Sequence, residues 1–239
     1  MRWFGELLWV LDICKECDKK MSAKKHWEKE KTVSDFDDIY DNKGGLFTRL
    51  VNKIFRRTMK VRGPATIKEC GDLTDKTVLD VGCGAGRVSF LLAKNGAKVT
   101  GVDYSQSMIN LAKKYQATQH LPNIEFIHGD LQQFSPDKKY DISIALGVLD
   151  YVENPKEFLL KMNTLTKSKS IVSYHIKYSY NSLPRKLWLM SKHCPVKFYT
   201  KNEILRLYAS LGVKKELKIK TIPKNSLFPT TYLVTAYFD

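Results

Sequence analysis

Two runs limit what this chain can fold into: Val78-Leu79-Asp80-Val81-Gly82-Cys83-Gly84-Ala85-Gly86, and Lys98-Val99-Thr100-Gly101-Val102-Asp103 after it. Together they read as a buried strand, a glycine turn, a helix, and a second buried strand ending in a carboxylate. Glycine lets backbone approach a ligand where a Cβ would intrude, and a carboxylate about twenty residues on can accept hydrogen bonds from ribose hydroxyls. Asp103 follows Gly82 by 21 residues. The arrangement predicts a nucleoside pocket.

The residues around the turn narrow the ligand. A dinucleotide site uses G-x-G-x-x-G to seat a pyrophosphate on a helix N-terminus. Here the glycines read G-x-G-x-G, Asp80 precedes them, and Arg87 stands where the third dinucleotide glycine would be. An acid beside a pyrophosphate is unfavourable, whereas an acid beside an amino group is useful. The predicted ligand therefore carries a ribose and a cationic amine, as S-adenosylmethionine does.

Residues 78–86 resemble motif I of the class I S-adenosylmethionine-dependent methyltransferases, and Asp103 resembles their ribose-binding acid. The likeness continues in order. Residues 123–131 resemble the next strand with its Gly129-Asp130, 140–147 the fourth strand, and 171–175 the fifth. It covers 73–175 well and 198–238 more loosely. It implies an α/β fold, a Rossmann-like seven-stranded doubly wound sheet with an antiparallel last strand, preceded by an N-terminal helical lead-in. It also implies S-adenosylmethionine as methyl donor and S-adenosylhomocysteine as product. By position, Gly82, Cys83, Gly84 and Gly86 would line the methionine and ribose, and Asp80 would approach the amino group. Asp103, with Tyr104 beside it, would bind the ribose, Asp130 the adenine amine and Leu131 the ring edge. The Leu146 backbone would face the methionine end. Tyr40 either closes over the cofactor or packs.

Two domains are expected: a lead-in or cap over 1–72 and a methyltransferase domain over 73–239, with 177–200 a variable acceptor-site insertion. Within the lead-in, the apolar positions 46, 47, 50, 51, 54, 55 and 59 fall on one face of a helix over 46–60. Its other face is basic: either the helix caps the sheet and leaves this face solvated, or this face docks on anionic lipid or substrate. Strands are expected at 77–81, 98–103, 213–221 and 230–238, and helices at 86–95, 105–116, 155–163 and 201–211. Ser105 and Thr200 are natural N-caps, Pro155 a first-turn proline and Gly212 a C-cap.

Composition bounds the setting. No run of eighteen apolar residues occurs, so no membrane-spanning helix is expected, and the apolar start carries Glu6 and Asp12 and lacks a cleavage site for a signal peptide. Five cysteines, one in the glycine turn, suit reduced thiols in a cytoplasmic protein, peripheral contact with a membrane being compatible. Cys14-x-x-Cys17 with His26 lacks a second cysteine pair, so no metal site is expected. The net charge of +15 is uneven: residues 73–150 carry 8 basic and 8 acidic side chains, whereas 151–239 carry 16 and 5. Of 40 basic residues 32 are lysine, and phosphate and base readout favour arginine forks.

Methyl transfer from a sulfonium needs alignment, exclusion of water and sometimes removal of a proton. His175 at the end of strand five, Asp150 and Tyr151 are the candidate catalytic residues; a packed histidine and an aspartate capping its turn are the plain alternatives. No Asp/Asn-Pro-Pro-Tyr/Phe or Pro-Cys follows strand four. By that elimination and by resemblance, the chain is similar to quinone-precursor and magnesium-porphyrin O-methyltransferases, which implies methyl transfer to oxygen of a small or lipid-like acceptor. The alternatives are an RNA methyltransferase using the basic C-terminal third, with nucleic acid as partner, and a non-catalytic S-adenosylmethionine-binding protein.

Overall fold

The computed structural model describes residues 57–191, 194–212, 216–224 and 226–238. Tyr40, the Cys14-x-x-Cys17 pair and the first eleven residues of the expected 46–60 helix lie outside the described residues. The elements are α1 (Arg57–Cys70), β1 (Thr77–Val81), α2 (Arg87–Lys94), β2 (Lys98–Asp103), α3 (Gln106–Gln119), β3 (Ile124–His128) and β4 (Tyr140–Leu146). There follow a 3-10 turn (Leu149–Tyr151), α4 (Pro155–Thr164), β5 (Thr166–His175), α5 (Ser182–Ser191), α6 (Lys201–Ala209), β6 (Glu216–Ile222) and β7 (Thr231–Tyr237). The strands form one seven-stranded sheet in the order β3-β2-β1-β4-β5-β7-β6. β7 runs antiparallel between β5 and β6, and β1 to β5 pair in parallel.

The core follows from the two-residue period of a strand. Val78, Val99, Ile142, Ile144 and Ile171 point to one face, where Phe90, Leu92 and Ala93 of α2 and Ile109 and Ala112 of α3 cover them. Leu79, Val81, Val102, Ala145 and Val172 point to the other, under Leu159 and Met162 of α4 and Ile204 and Tyr208 of α6. Parallel strands buried on both faces read as continuous apolar runs. The expected N-caps are present: the Ser105 side chain accepts from Met108 N–H, and Thr200 forms a capping box with Glu203; Asn154, before the first-turn Pro155, caps α4 as well, accepting from Glu157 N–H.

Three elements depart from the sequence expectation. The helix expected to stop at 60 runs on to Cys70, through Gly63-Pro64, a pair that ordinarily ends a helix. Gly63 lies so close to α2 that a Cβ there would meet Leu91 Cδ1 at 2.9 Å, and Val61, Ala65 and Ile67 pack on the first core layer. Packing against the sheet therefore outweighs the lost backbone hydrogen bond. β5 begins at Thr166, five residues before the expected 171, because its polar start is bonded: Lys169 Nζ donates to the carbonyls of Glu69 and Cys70 at the end of α1. The helix expected over 201–211 ends at Ala209 with Ser210 as its C-cap, and Gly212 follows in the left-handed region at φ 65°. Among the described residues no helix is long and apolar enough to cross a membrane.

Candidate active site

In a doubly wound sheet the crevice opens beyond the carboxyl ends of the strands where the winding reverses. That point here lies between β1 and β4, whose following loops touch. A Cβ on Gly82 would meet Val148 Cγ2 at 2.3 Å, and Gly82 sits at φ 68°, so glycine is required on both counts.

The glycine turn is held from β2. Gly82 and Cys83 N–H both donate to the Val102 carbonyl, at 2.7 and 3.2 Å. Asp103, at the end of β2, receives Gly84 N–H on Oδ2 at 2.8 Å and Ser105 N–H on Oδ1 at 2.9 Å. Each carboxylate oxygen keeps a second lone pair. Burial pushes the Asp103 carboxyl up, and the two N–H donors hold it down. Its backbone carbonyl accepts from Gly129 N–H at 2.9 Å, which brings the loop after β3 alongside. A Cβ on Gly84 or on Gly129 would meet no protein atom within 4 Å, so open space adjoins this carboxylate on both sides. Such a cradle, with free lone pairs on a braced acid, fits a ribose.

The turn glycines thus serve different ends. Gly86 faces the core, where a Cβ would lie 2.4 Å from Phe126 Cζ. Cys83 also turns inward: its thiol packs on the first core layer and burial raises its pKa well above the usual thiol value, so only its backbone is left for a ligand. Asp130 Oδ1 accepts from Gln132 N–H at 3.1 Å, while Leu131 and Leu146 are buried. Tyr104 is half-buried, its carbonyl 2.9 Å from His128 Nε2.

At the other end of the crevice lies Asp80, near the end of β1, with Ser89 donating to its Oδ2 at 2.5 Å. Burial, assisted by the Asp103 charge, raises its pKa to about 6, against the pull of Ser89 and Arg62. Arg62, on α1, was not foreseen. A Cβ on Gly147, at φ 77° just after β4, would lie 2.6 Å from Arg62 Nη1, and Arg62 Nε is buried without a hydrogen-bond partner. No local pattern marks Arg62. The acid-free stretch between Asp41 and Glu69 was the one available hint.

The three candidate catalytic residues come together beside β5. Asp150 is buried, its Oδ1 accepting His175 N–H at 3.0 Å and its Oδ2 lying 3.5 Å from Arg185 Nη2. It therefore ties the 3-10 turn to β5 and to the inserted helix α5. Burial raises its pKa and Arg185 opposes that rise. Arg185 Nη2 donates to Tyr151 Oη at 3.1 Å. The His175 ring stands 4.3 Å from the Phe198 ring, and its Nε2 is buried without a partner. Burial, then the Arg185 charge, depresses its pKa to about 3, so the ring is neutral at physiological pH. Arg185 is the second unforeseen residue, reaching the site from the variable segment. The ends of that segment are stitched together, with Tyr199 N–H donating to the His175 carbonyl and Lys177 N–H to the Tyr199 carbonyl. Among the described residues no cluster of His, Cys, Asp and Glu suits a metal ion.

Residues 73–211 match the family described as a methyltransferase domain, over more than half of the chain. The chain belongs to this family. With it comes membership of the class I S-adenosylmethionine-dependent methyltransferases, for which the sheet order and the crevice are the expected frame. Ubiquinone biosynthesis O-methyltransferases are similar to it: that of Rickettsia bellii is 37% identical over 100 residues, and that of Coxiella burnetii 41% over 96. The match spans 41% of each relative and 42% and 40% of this chain respectively. Among solved structures, magnesium protoporphyrin IX methyltransferase from Synechocystis PCC 6803 with bound S-adenosylmethionine superposes at a TM-score of 0.71. It is 21% identical, and the superposition covers 92% of this chain and 99% of that one.

Proposed function

We propose that this protein transfers a methyl group from S-adenosylmethionine to an oxygen of a small or lipid-like, anionic acceptor, releasing S-adenosylhomocysteine. The observation that carries the reading is Asp103, braced by two backbone N–H groups between two glycines that open onto empty space. Asp103 takes the ribose hydroxyls. Asp130 takes the adenine amine, with Leu131 and Tyr104 along the ring and ribose. The Gly82-Cys83-Gly84 backbone and the Leu146 carbonyl line the methionine arm. At its end, Asp80 holds the amino group while Arg62 holds the carboxylate; a paired acid and base suit a zwitterion.

The bound donor supplies an activated methyl on a sulfonium, so the chain has to align the acceptor and manage its charge. Arg185 and Tyr151 flank the acceptor end, where a guanidinium favours a phenolate or carboxylate over its protonated form. An acceptor oxygen that is already anionic needs no strong base. The neutral His175 ring, with Nε2 turned toward no protein partner, then accepts a hydrogen bond from a second, neighbouring hydroxyl of the acceptor and orients it. Asp150 is a positioning residue: its oxygens face the His175 amide and Arg185.

The names of the relatives support a small acceptor over RNA. The lead-in over 1–72 and the methyltransferase domain over 73–239 are not independent units on this reading, since α1 contributes both core residues and Arg62. Calorimetry tests the donor: S-adenosylmethionine should bind the full chain and fail to bind Asp103→Ala. Transfer of a labelled methyl group to a panel of phenols, catechols and carboxylates tests the acceptor. Absence of donor binding would remove the proposal, and transfer to RNA alone would replace the acceptor.

A further inference from the structure

Helix α5 carries apolar residues on its outer face as well as its inner one. Ser182, Arg185 and Leu189, at helical spacing, face inward, and Ser182 Oγ donates to the Ile176 carbonyl at 2.6 Å. The outward face presents Leu183 and Leu187, one turn apart, at 66% and 49% exposure. Beside them Tyr178 is 81% exposed, and on the β6–β7 loop Leu227 and Phe228 are 91% and 66% exposed. The two segments form one surface, because Tyr180 and Phe228 make an edge-to-face pair at 6.4 Å and Ile176 N–H donates to the Thr230 carbonyl. Single exposed leucines are ordinary, whereas large apolar side chains gathered from two segments mark a contact surface.

The charge around the patch selects the partner. Lys177, Lys186 and Lys224 rim it and are exposed, and Lys177 Nζ lies 5.7 Å from the Tyr178 ring centre. No acid occurs over 158–202 or over 217–238, which hold 9 and 3 basic residues; the acid that reaches the rim is Glu203, 3.9 Å from Lys177 Nζ. Apolar and aromatic side chains ringed by lysines match the interface of an anionic bilayer, with the rings and leucines below the headgroups and the ammonium groups among the phosphates.

We propose that the outer face of α5 and the β6–β7 loop are a docking surface for an anionic lipid bilayer. The location gives the docking a purpose. The patch adjoins the end of β5, and α5 has the bilayer face on one side and Arg185 on the other. An anionic acceptor dissolved in the membrane would enter the crevice past this helix. That last step rests on the proposed lipid-like acceptor, whereas the docking itself does not.

Flotation with vesicles tests it, using the full chain and two vesicle types: phosphatidylcholine alone, and phosphatidylcholine with phosphatidylglycerol. The protein should float with the anionic vesicles and stay behind with the neutral ones. The double variants Leu183→Ser/Leu187→Ser and Leu227→Ser/Phe228→Ser should each weaken partitioning by roughly tenfold or more, as loss of two buried apolar side chains demands. Retained S-adenosylmethionine binding shows that the variants are folded. Equal flotation of wild type and both variants would overturn the proposal. So would binding abolished by salt yet indifferent to both variants, which would assign the basic surface to a polyanion such as RNA. Failure to float leaves the methyltransferase reading untouched, since donor binding is measured separately.

Discussion

Arg62 occupies the space that a side chain on Gly147 would need, its Nη1 2.6 Å from where the Cβ would stand. The two residues are 85 positions apart. One belongs to the helix before the sheet, the other to the loop after β4, and their contact lies at the end of the crevice proposed to hold the methionine arm. Gly147→Ala should therefore displace the guanidinium and also strain a backbone at φ 77°. The expected result is S-adenosylmethionine binding weakened about tenfold or more, as loss of one charge-assisted contact predicts. Arg62→Met, which keeps the helix and removes the charge, should weaken binding similarly with little change in melting temperature. Titration calorimetry on both variants checks this, and wild-type affinity in Arg62→Met would remove Arg62 from the site.

Two of the turn glycines, Gly84 and Gly86, should separate experimentally into binding and packing roles. Gly86→Ala puts a methyl 2.4 Å from Phe126 Cζ and should destabilise the fold by about 2 kcal/mol or more, from overpacking and left-handed strain together. Gly84→Ala meets no protein atom, so its stability cost is the strain at φ 53° alone, while the methyl enters the space beside Asp103. Urea midpoints should fall most for Gly86→Ala. For Gly84→Ala the loss of donor binding should exceed anything its midpoint explains. The reverse pattern would exchange the two assignments.

Donor binding should depend on pH through Asp80. Its folded pKa is raised to about 6 by burial and by Asp103, with Ser89 and Arg62 pulling it down. Only the ionised acid attracts a cationic amine, so affinity should be full above about pH 6 and fall by up to roughly tenfold per unit below it. Asp80→Asn should bind more weakly at pH 7.5 and lose this dependence. Calorimetry at pH 5, 6 and 7.5 decides the matter; an equal slope in wild type and variant would mean another group is responsible.

How much of this was legible in the sequence differs between strands and site. β1 and β2 fall on the expected 77–81 and 98–103, because a strand buried on both faces writes itself as an unbroken apolar run between turn residues. The caps Ser105 and Thr200 were legible for a similar reason, since capping is decided within four residues. The place of Asp103 beside the glycine turn was legible because the turn and the end of β2 belong to one continuous strand–turn–helix–strand unit. Arg62 and Arg185 were not, since each reaches the crevice from a helix whose placement depends on packing far along the chain. Lys169 hid in the same way: its bonds to the end of α1 cross about a hundred positions, and read locally it made the start of β5 look like loop. The His175 ring belongs with them, because sequence could place it at a strand end but not bury its Nε2.

That burial gives a prediction with a definite sign. His175 titrates at about 3 in the folded protein, because burial and the neighbouring Arg185 charge oppose its protonation, and near 6.5 when unfolded. A base whose folded pKa is depressed supports the fold above the unfolded value and withdraws that support as pH falls toward the folded one. Between pH 6.5 and 3 the unfolded chain binds this proton and the native chain does not. Stability should then decline by up to about 1.4 kcal/mol per unit on acidification. Asp80 works in the opposite direction, its raised pKa adding stability as pH falls through about 6, so the wild-type profile mixes the two. Comparing His175→Phe with wild type cancels Asp80 and isolates the histidine. Phenylalanine keeps a ring against Phe198 and does not titrate. Its stability relative to wild type should rise by about 2 kcal/mol between pH 7 and pH 5, read as diverging urea midpoints. A difference that stays constant over that interval would place the His175 ring in water, and with it end the case for a neutral, unpartnered nitrogen at the acceptor site.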